Sequence, residues 1–174
     1  KPDGSATWCF VSTPTPGTTN NASTCYNGYA FAPIFSKQGG FYASTQTLIL
    51  TSPSGGTIRY TTNGNTPTTS STAYSSPITI SSSKTIRAKV FVTGYLPSPM
   101  VTNTFIINAS THLSTFSITT DSLNLWDYNT GIYVLGPGAA ATSPFKGANF
   151  WQDWEKPATI EYFDKNKNLV VRFD

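Results

Sequence analysis

Acid is what this sequence most lacks. Residues 4–120 contain neither Asp nor Glu. Glycosidase-type acid–base chemistry needs a pair of carboxylates, and hard-cation sites are dominated by carboxylate oxygens. Both are excluded from most of the chain. His112 is the single histidine, and Cys9 and Cys25 are the only cysteines. A Ser-His-Asp relay would have to use His112, which sits in the linker-like run Ser110-Thr111-His112-Leu113-Ser114 without a nucleophile-elbow pattern. Two cysteines and one distant histidine do not make a zinc site. No catalytic residue, metal ligand or cofactor is assigned. Charged residues make up 11% of the chain, against about 25% in an ordinary soluble domain. No apolar run approaches the roughly 18 residues of a membrane helix. No leader segment is visible, so a mature chain or an excerpt from a longer one is expected.

Ser, Thr, Asn, Gly and Pro take the place of charge, which suits short strands joined by many turns on a secreted surface. Aromatics reach 14%, enough large apolar material for a core. The net charge of +3 is unevenly spread. Residues 1–107 carry six bases against Asp3 alone, whereas residues 108–174 carry five bases against seven acids. The change marks a domain boundary near residue 107. The bases form no run, so nucleic acid is not an expected partner. Cys9 and Cys25 read as a disulfide closing a loop of about 15 residues, worth about 3 kcal/mol in the chain-entropy model. The alternative is two reduced, buried thiols.

The most informative stretch is residues 58–80. Ile58 and Tyr60 alternate with Arg59 and Thr61 in the period of a half-buried strand. Asn63-Gly64 predicts a tight primed turn. Pro67 cannot donate to a ladder and belongs to a turn or an edge. Pro77-Ile78-Thr79-Ile80 opens another strand. Upstream, residues 46–51 read as one strand with Leu48 and Leu50 on a common face. Downstream, Ile86, Ala88 and Val90 face one way, and Thr85, Arg87, Lys89 and Phe91 the other. Val101, Asn103 and Phe105 begin a last strand that ends at Ile107. Six or seven short strands at this spacing predict a β-sandwich, and no stretch has a helical period.

The residues Arg59-Tyr60-Thr61-Thr62-Asn63-Gly64-Asn65-Thr66-Pro67-Thr68, then Tyr74, Pro77-Ile78 and Thr85-Ile86-Arg87-Ala88, resemble the C-terminal module of chitobiase and β-hexosaminidase. Asn63 stands where that family usually has Asp, and Asn65 where it has Ser. The resemblance implies an immunoglobulin- or fibronectin-III-like sandwich over residues 31–107. It implies no hydrolase activity, since the module is an accessory domain.

The flanks read differently. Residues 1–4 make a turn, residues 7–11 a strand, and residues 13–20 an exit and linker. Pro2-Asp3-Gly4, Trp8 and Thr13-Pro14-Thr15-Pro16-Gly17 resemble the end of a lamin-tail domain, taken here as residues 1–30. Residues 108–174 read as a second, small β-rich domain. It has a strand at 116–119, a helical turn at 121–127, a strand at 131–134, a Gly/Ala/Ser/Pro loop at 136–147, and a hairpin of strands 158–163 and 169–173. Its residues Ser117-Ile118-Thr119-Thr120-Asp121, Asn124-Leu125-Trp126-Asp127, Thr130-Gly131-Ile132-Tyr133-Val134, Trp154-Glu155-Lys156-Pro157-Ala158 and Glu161-Tyr162-Phe163 resemble the β-rich entry segment of proteins related to the spore-coat kinase CotH. The order of the three resemblances implies a stretch of a long secreted bacterial surface protein.

The fold class expected is all-β: an immunoglobulin/fibronectin-III-like antiparallel sandwich followed by a smaller β-rich unit. The expected role is a non-enzymatic spacer and display segment, secreted or on the cell surface, whose partners are neighbouring domains of the same longer chain. Carbohydrate binding is the first alternative. Exposed aromatic rings stack on sugars while nearby polar groups read hydroxyls, and Trp151, Trp154, Tyr128, Asn149, Gln152 and Asp153 are the candidates. Packing of the same aromatics into a core is the competing account. The second alternative is the scaffold part of a CotH-like kinase. Gly136 to Gly147 lacks the spacing of a phosphate loop. The remaining acids, Asp121 and Asp127 among them, have no EF-hand spacing and read as turn caps. Asn21 and Asn108 fit the N-glycosylation pattern, and Ser122 an O-glycosylation triplet.

Overall fold

The computed structural model describes residues 4, 6–20 and 24–173. The candidate Asn21 and most of the expected opening turn lie outside the described residues. Between residues 34 and 107 the strands are β1 (Ile34–Phe35), β2 (Gly40–Tyr42), β3 (Gln46–Leu48), β4 (Leu50–Thr51), β5 (Thr57–Thr61), β6 (Thr72–Ala73), β7 (Ile78–Ile80), β8 (Lys84–Phe91) and β9 (Val101–Ile107). After them come β10 (Thr115–Thr119), a short helix α1 (Ser122–Trp126), β11 (Thr159–Phe163) and β12 (Leu169–Phe173). Among the described residues the chain is all-β apart from α1 and a 3₁₀ turn at Asn149–Trp151.

A five-stranded sheet in the order β2-β9-β8-β5-β6 is the frame, with only β2 parallel to its neighbour. The short pairs β1-β4 and β3-β7 face it as a second layer. The period-two pattern of β8 places Ile86, Ala88 and Val90 inward, where all three are fully buried. They meet Phe35, Leu48, Leu50, Ile58, Ile80 and Phe105 in one core, with Tyr42, Tyr60 and Tyr74 sealing its rim. Leu48 and Leu50 both reach this core although the expected single strand 46–51 is broken. At Ile49 the backbone turns away to pair with Ser36, whose hydroxyl accepts the Ile49 amide at 2.9 Å. The break lets one segment serve two partners, β7 and β1.

Three other expectations are corrected. Asn63-Gly64 does not make a two-residue hairpin. Gly64 has φ +83°, Asn63 stays outside the positive-φ set, and the chain runs on through residues 62–71 before β6. Residues 7–11 form a single bridge, Phe10 with Tyr26, rather than a strand. The Cys9–Cys25 disulfide brings the two segments together, and the Pro- and Gly-rich run between them offers no ladder to extend. Residues 131–134 form turns, not a strand. The amides of Ile132 and Tyr133 donate to Asn124 and Leu125 of α1 instead of to a neighbouring strand.

The third sheet, β10-β11-β12, has the hairpin expected across residues 164–168. Its sidedness is unusual. Ser117, Thr119, Thr159, Glu161, Phe163 and Arg172 lie against the sandwich, whereas Phe116, Ile118 and Phe173 are exposed.

Candidate functional site

The feature that organises the molecule is a polar seam between the outer face of β8-β9 and the inner face of β10-β11-β12. Side chains at the outward positions of β8 and β9 cannot enter the core, so they are free to hydrogen-bond elsewhere. Here they meet a second row of polar side chains. The Thr104 and Ser117 hydroxyls lie 2.7 Å apart across the seam, Thr85 and Thr119 3.3 Å, and Thr102 and Thr159 3.3 Å, while Thr85 and Thr104 lie 2.9 Å apart within the first row. Two charged clusters stitch this row at its ends.

Glu161 anchors one cluster. It is 1% exposed, so its charge must be met by fixed donors. One carboxylate oxygen accepts the Thr104 amide at 2.8 Å. The other accepts from Arg172 at 2.7 Å. Arg172 also donates to Asn103 Oδ1 at 2.8 Å, and that oxygen accepts the Gly39 amide at 2.6 Å. A side chain at Gly39 would lie 2.8 Å from the Thr104 carbonyl and 3.0 Å from Glu161. The position needs glycine because two backbones and a carboxylate converge there. Phe41 meets Phe163 edge-on at 5.5 Å beside it.

Asp121 anchors the other cluster. It precedes α1 and reaches back to the loop after β5, accepting from the Thr66 amide and from the Thr66 hydroxyl at 2.9 Å. Arg87, 4% exposed, donates to the Gly64 carbonyl at 2.6 Å and pairs with Asp121 at 3.4 Å. Asn65 Oδ1 accepts the Ser122 amide at 2.9 Å, and Asn63 Oδ1 caps the turn by accepting the Asn65 amide at 3.2 Å. The loop at residues 63–68 thus grips the start of the following unit. Among the described residues, no buried side-chain nitrogen or oxygen is left without a partner.

Sequence reading did not find this seam. The available signal was the run of Thr and Ser at outward positions of successive strands, together with a cation, Arg87, in a segment whose first acid is Asp121.

The carbohydrate candidates lie apart from the seam, on the long connection between α1 and β11. Tyr128 and Trp151 are 64% and 58% exposed, and the Trp151 indole N–H donates to Pro144 at 2.9 Å. Trp154 is exposed with the Lys156 ammonium 5.7 Å from its ring centre. Trp126 and Tyr133 pack edge to face at 5.2 Å. Asn149 is buried, and its amide donates to the Tyr128 and Gly131 carbonyls at 3.1 and 3.0 Å. Gln152 donates to Gly147 at 3.3 Å. Asp153 is exposed. The two amides therefore hold the loop, and the rings and Asp153 are what the segment presents to solvent. His112, Asn108 and Ser122 are exposed. Among the described residues, no group of His, Cys, Asp and Glu could hold a metal, and no helix is long and apolar enough to cross a membrane.

Asp127 and Asp164 act as turn caps. The Thr130 amide and hydroxyl, then the Asn129 amide, hold Asp127 below the ordinary carboxylate range, and the Asn168 amide does the same for Asp164. Burial raises the Tyr42 hydroxyl.

No curated protein and no solved structure matches this chain. Residues 37–103, from the turn before β2 into the middle of β9, match the family described as the chitobiase/β-hexosaminidase C-terminal domain.

Proposed function

We propose that the chain is a non-catalytic spacer and display segment of a secreted or cell-surface protein, in which the sandwich and the following β unit act as one stiff element between neighbouring domains. The observation that carries this reading is the seam. Its two charged clusters and its threonine row place polar contacts across the seam, so hinging would take the Thr104 amide from Glu161, Asn103 from Arg172 and Asp121 from Arg87, at a cost of about 3 kcal/mol or more in all. The family of residues 37–103 supports an accessory role, and the disulfide supports an oxidising compartment. Small-angle scattering tests the idea. A single rigid envelope is expected, with flexibility appearing when Asp121→Ala and Glu161→Ala are combined. Two bodies moving independently in the unaltered chain would refute it.

Carbohydrate binding at Tyr128, Trp151 and Trp154 is a second reading, favoured by the open rings of Tyr128 and Trp151. Affinity electrophoresis in neutral polysaccharide gels is expected to show retardation that Trp151→Ala abolishes. Equal mobility with and without polysaccharide would end this reading.

A further inference from the structure

The outer face of β5-β8 carries three cations, and only one has an acid. Arg59 stands directly opposite Lys89 in the antiparallel register, and Arg87 follows opposite Thr61. Like charges in directly opposed positions sit about 5 Å apart at Cβ and repel. Arg87 is compensated by Asp121. Arg59 and Lys89 have no acidic partner among the described residues, and residues 4–120 offer none in sequence. Arg59 uses one donor on the Ser71 carbonyl at 2.8 Å, which leaves most of its guanidinium fork free.

Beside this pair lies a groove of about 450 Å³, lined by Tyr26, Thr57, Arg59, Thr69, Phe91 and Tyr95 among others. The size falls within the range of small-ligand sites, about 300–1,000 Å³. The disulfide-tied segment builds one wall: Tyr26 pairs with Phe10, and the Asn27 amide donates to Gly94 at 2.9 Å, next to Tyr95. Aromatic walls, threonine hydroxyls and a fork-shaped cation without an acidic partner thus converge on one space.

We propose that this groove binds an acidic saccharide, with the Arg59 guanidinium on a uronate carboxylate, Lys89 adding charge, and Tyr26 and Tyr95 flanking the sugar ring. A planar guanidinium takes a carboxylate with two parallel hydrogen bonds. The hydroxyls of Thr57 and Thr69 match a polyhydroxylated ligand. Two cations are too few for a nucleic acid, which is held through many phosphate contacts. The site is independent of the spacer reading and is separate from the aromatic segment around Trp151.

Calorimetry with tetragalacturonate tests it. Saturable binding is expected, at least tenfold weaker for Arg59→Gln and severalfold weaker and less salt-dependent for Lys89→Gln. The methyl ester of the same tetrasaccharide keeps the rings, loses the charge and is expected to bind at least tenfold more weakly. The Lys89 side chain makes no hydrogen bond or ion pair among the described residues, so Lys89→Gln stays informative if Arg59→Gln disturbs the loop. No binding of tetragalacturonate, equal binding of its methyl ester, indifference to Lys89→Gln, or tighter binding of heparin or single-stranded DNA would each overturn the assignment.

Discussion

Single residues at turns carry much of the specification in this protein. Gly136 has φ +71°, and a side chain there would lie 1.9 Å from Asn149 Oδ1. The same Asn149 amide group ties the loop to Tyr128 and Gly131. Gly136→Ala therefore meets backbone strain and a collision together and is expected to cost about 2 kcal/mol, read by chemical denaturation. Asp127 and Asp164 define a pH response. Their folded carboxyls are held below the ordinary range by turn donors. The stability they contribute is present above the unfolded carboxylate value of about 3.9 and is lost as pH falls through their lower folded values. The thermal midpoint is expected to drop below about pH 4, and Asp127→Asn with Asp164→Asn to flatten that drop.

At the level of elements, β10-β11-β12 inverts the usual rule. An antiparallel sheet with one face covered normally buries its apolar side. Here the covered side, apart from Phe163, carries Ser117, Thr119, Thr159, Glu161 and Arg172, while Phe116 and Ile118 are 65% and 69% exposed. The reason is the partner surface: β8 and β9 present Thr85, Arg87, Thr102 and Thr104, which demand hydrogen bonds. An opposite ranking of substitutions follows. Ile118→Thr is expected to change stability by no more than about 0.5 kcal/mol. Glu161→Leu leaves the Thr104 amide without its acceptor and Arg172 without its counter-charge, with only Asn103 Oδ1 to receive it, and is expected to cost about 3 kcal/mol. Urea denaturation of both variants checks the ranking.

For the whole molecule, two devices join parts that share little apolar packing beyond Phe41 with Phe163 and Ala30 at the core edge. The seam joins the sandwich to the sheet that follows it. The Cys9–Cys25 disulfide, with the bridges Phe10 to Tyr26 and Tyr29 to Leu96, joins the first described residues to the edge of the sandwich. Replacing both cysteines by serine removes a loop closure worth about 3 kcal/mol in the chain-entropy account. Protection of the Ala30 amide, which donates to the Leu96 carbonyl at 2.9 Å, and of the Leu96 amide, which donates to the Gly28 carbonyl at 2.8 Å, is expected to fall while protection in β8 persists. Equal protection across all of these sites would show that the disulfide contributes nothing to the docking.

The sandwich was legible in the sequence because its signals are local. Alternation in β5, β8 and β9 states which side chains leave water, and Ile86, Ala88 and Val90 are buried as their spacing requires. The Cys pair and the β11-β12 hairpin were legible for the same reason. The strand misread at residues 131–134 failed because its amides find α1 rather than a strand, and alternation does not name a partner. The seam and the Arg59 groove lay beyond sequence reasoning altogether. Arg87 and Asp121, Thr104 and Glu161, Tyr26 and Arg59 are far apart along the chain, and none belongs to a recurring motif that pairs it with its neighbour. Sequence period determined which faces are apolar, since that depends only on backbone geometry. Which polar groups meet was decided by how the sheets stack, because a hydrogen bond or ion pair exists only where the fold brings donor and acceptor within about 3 Å.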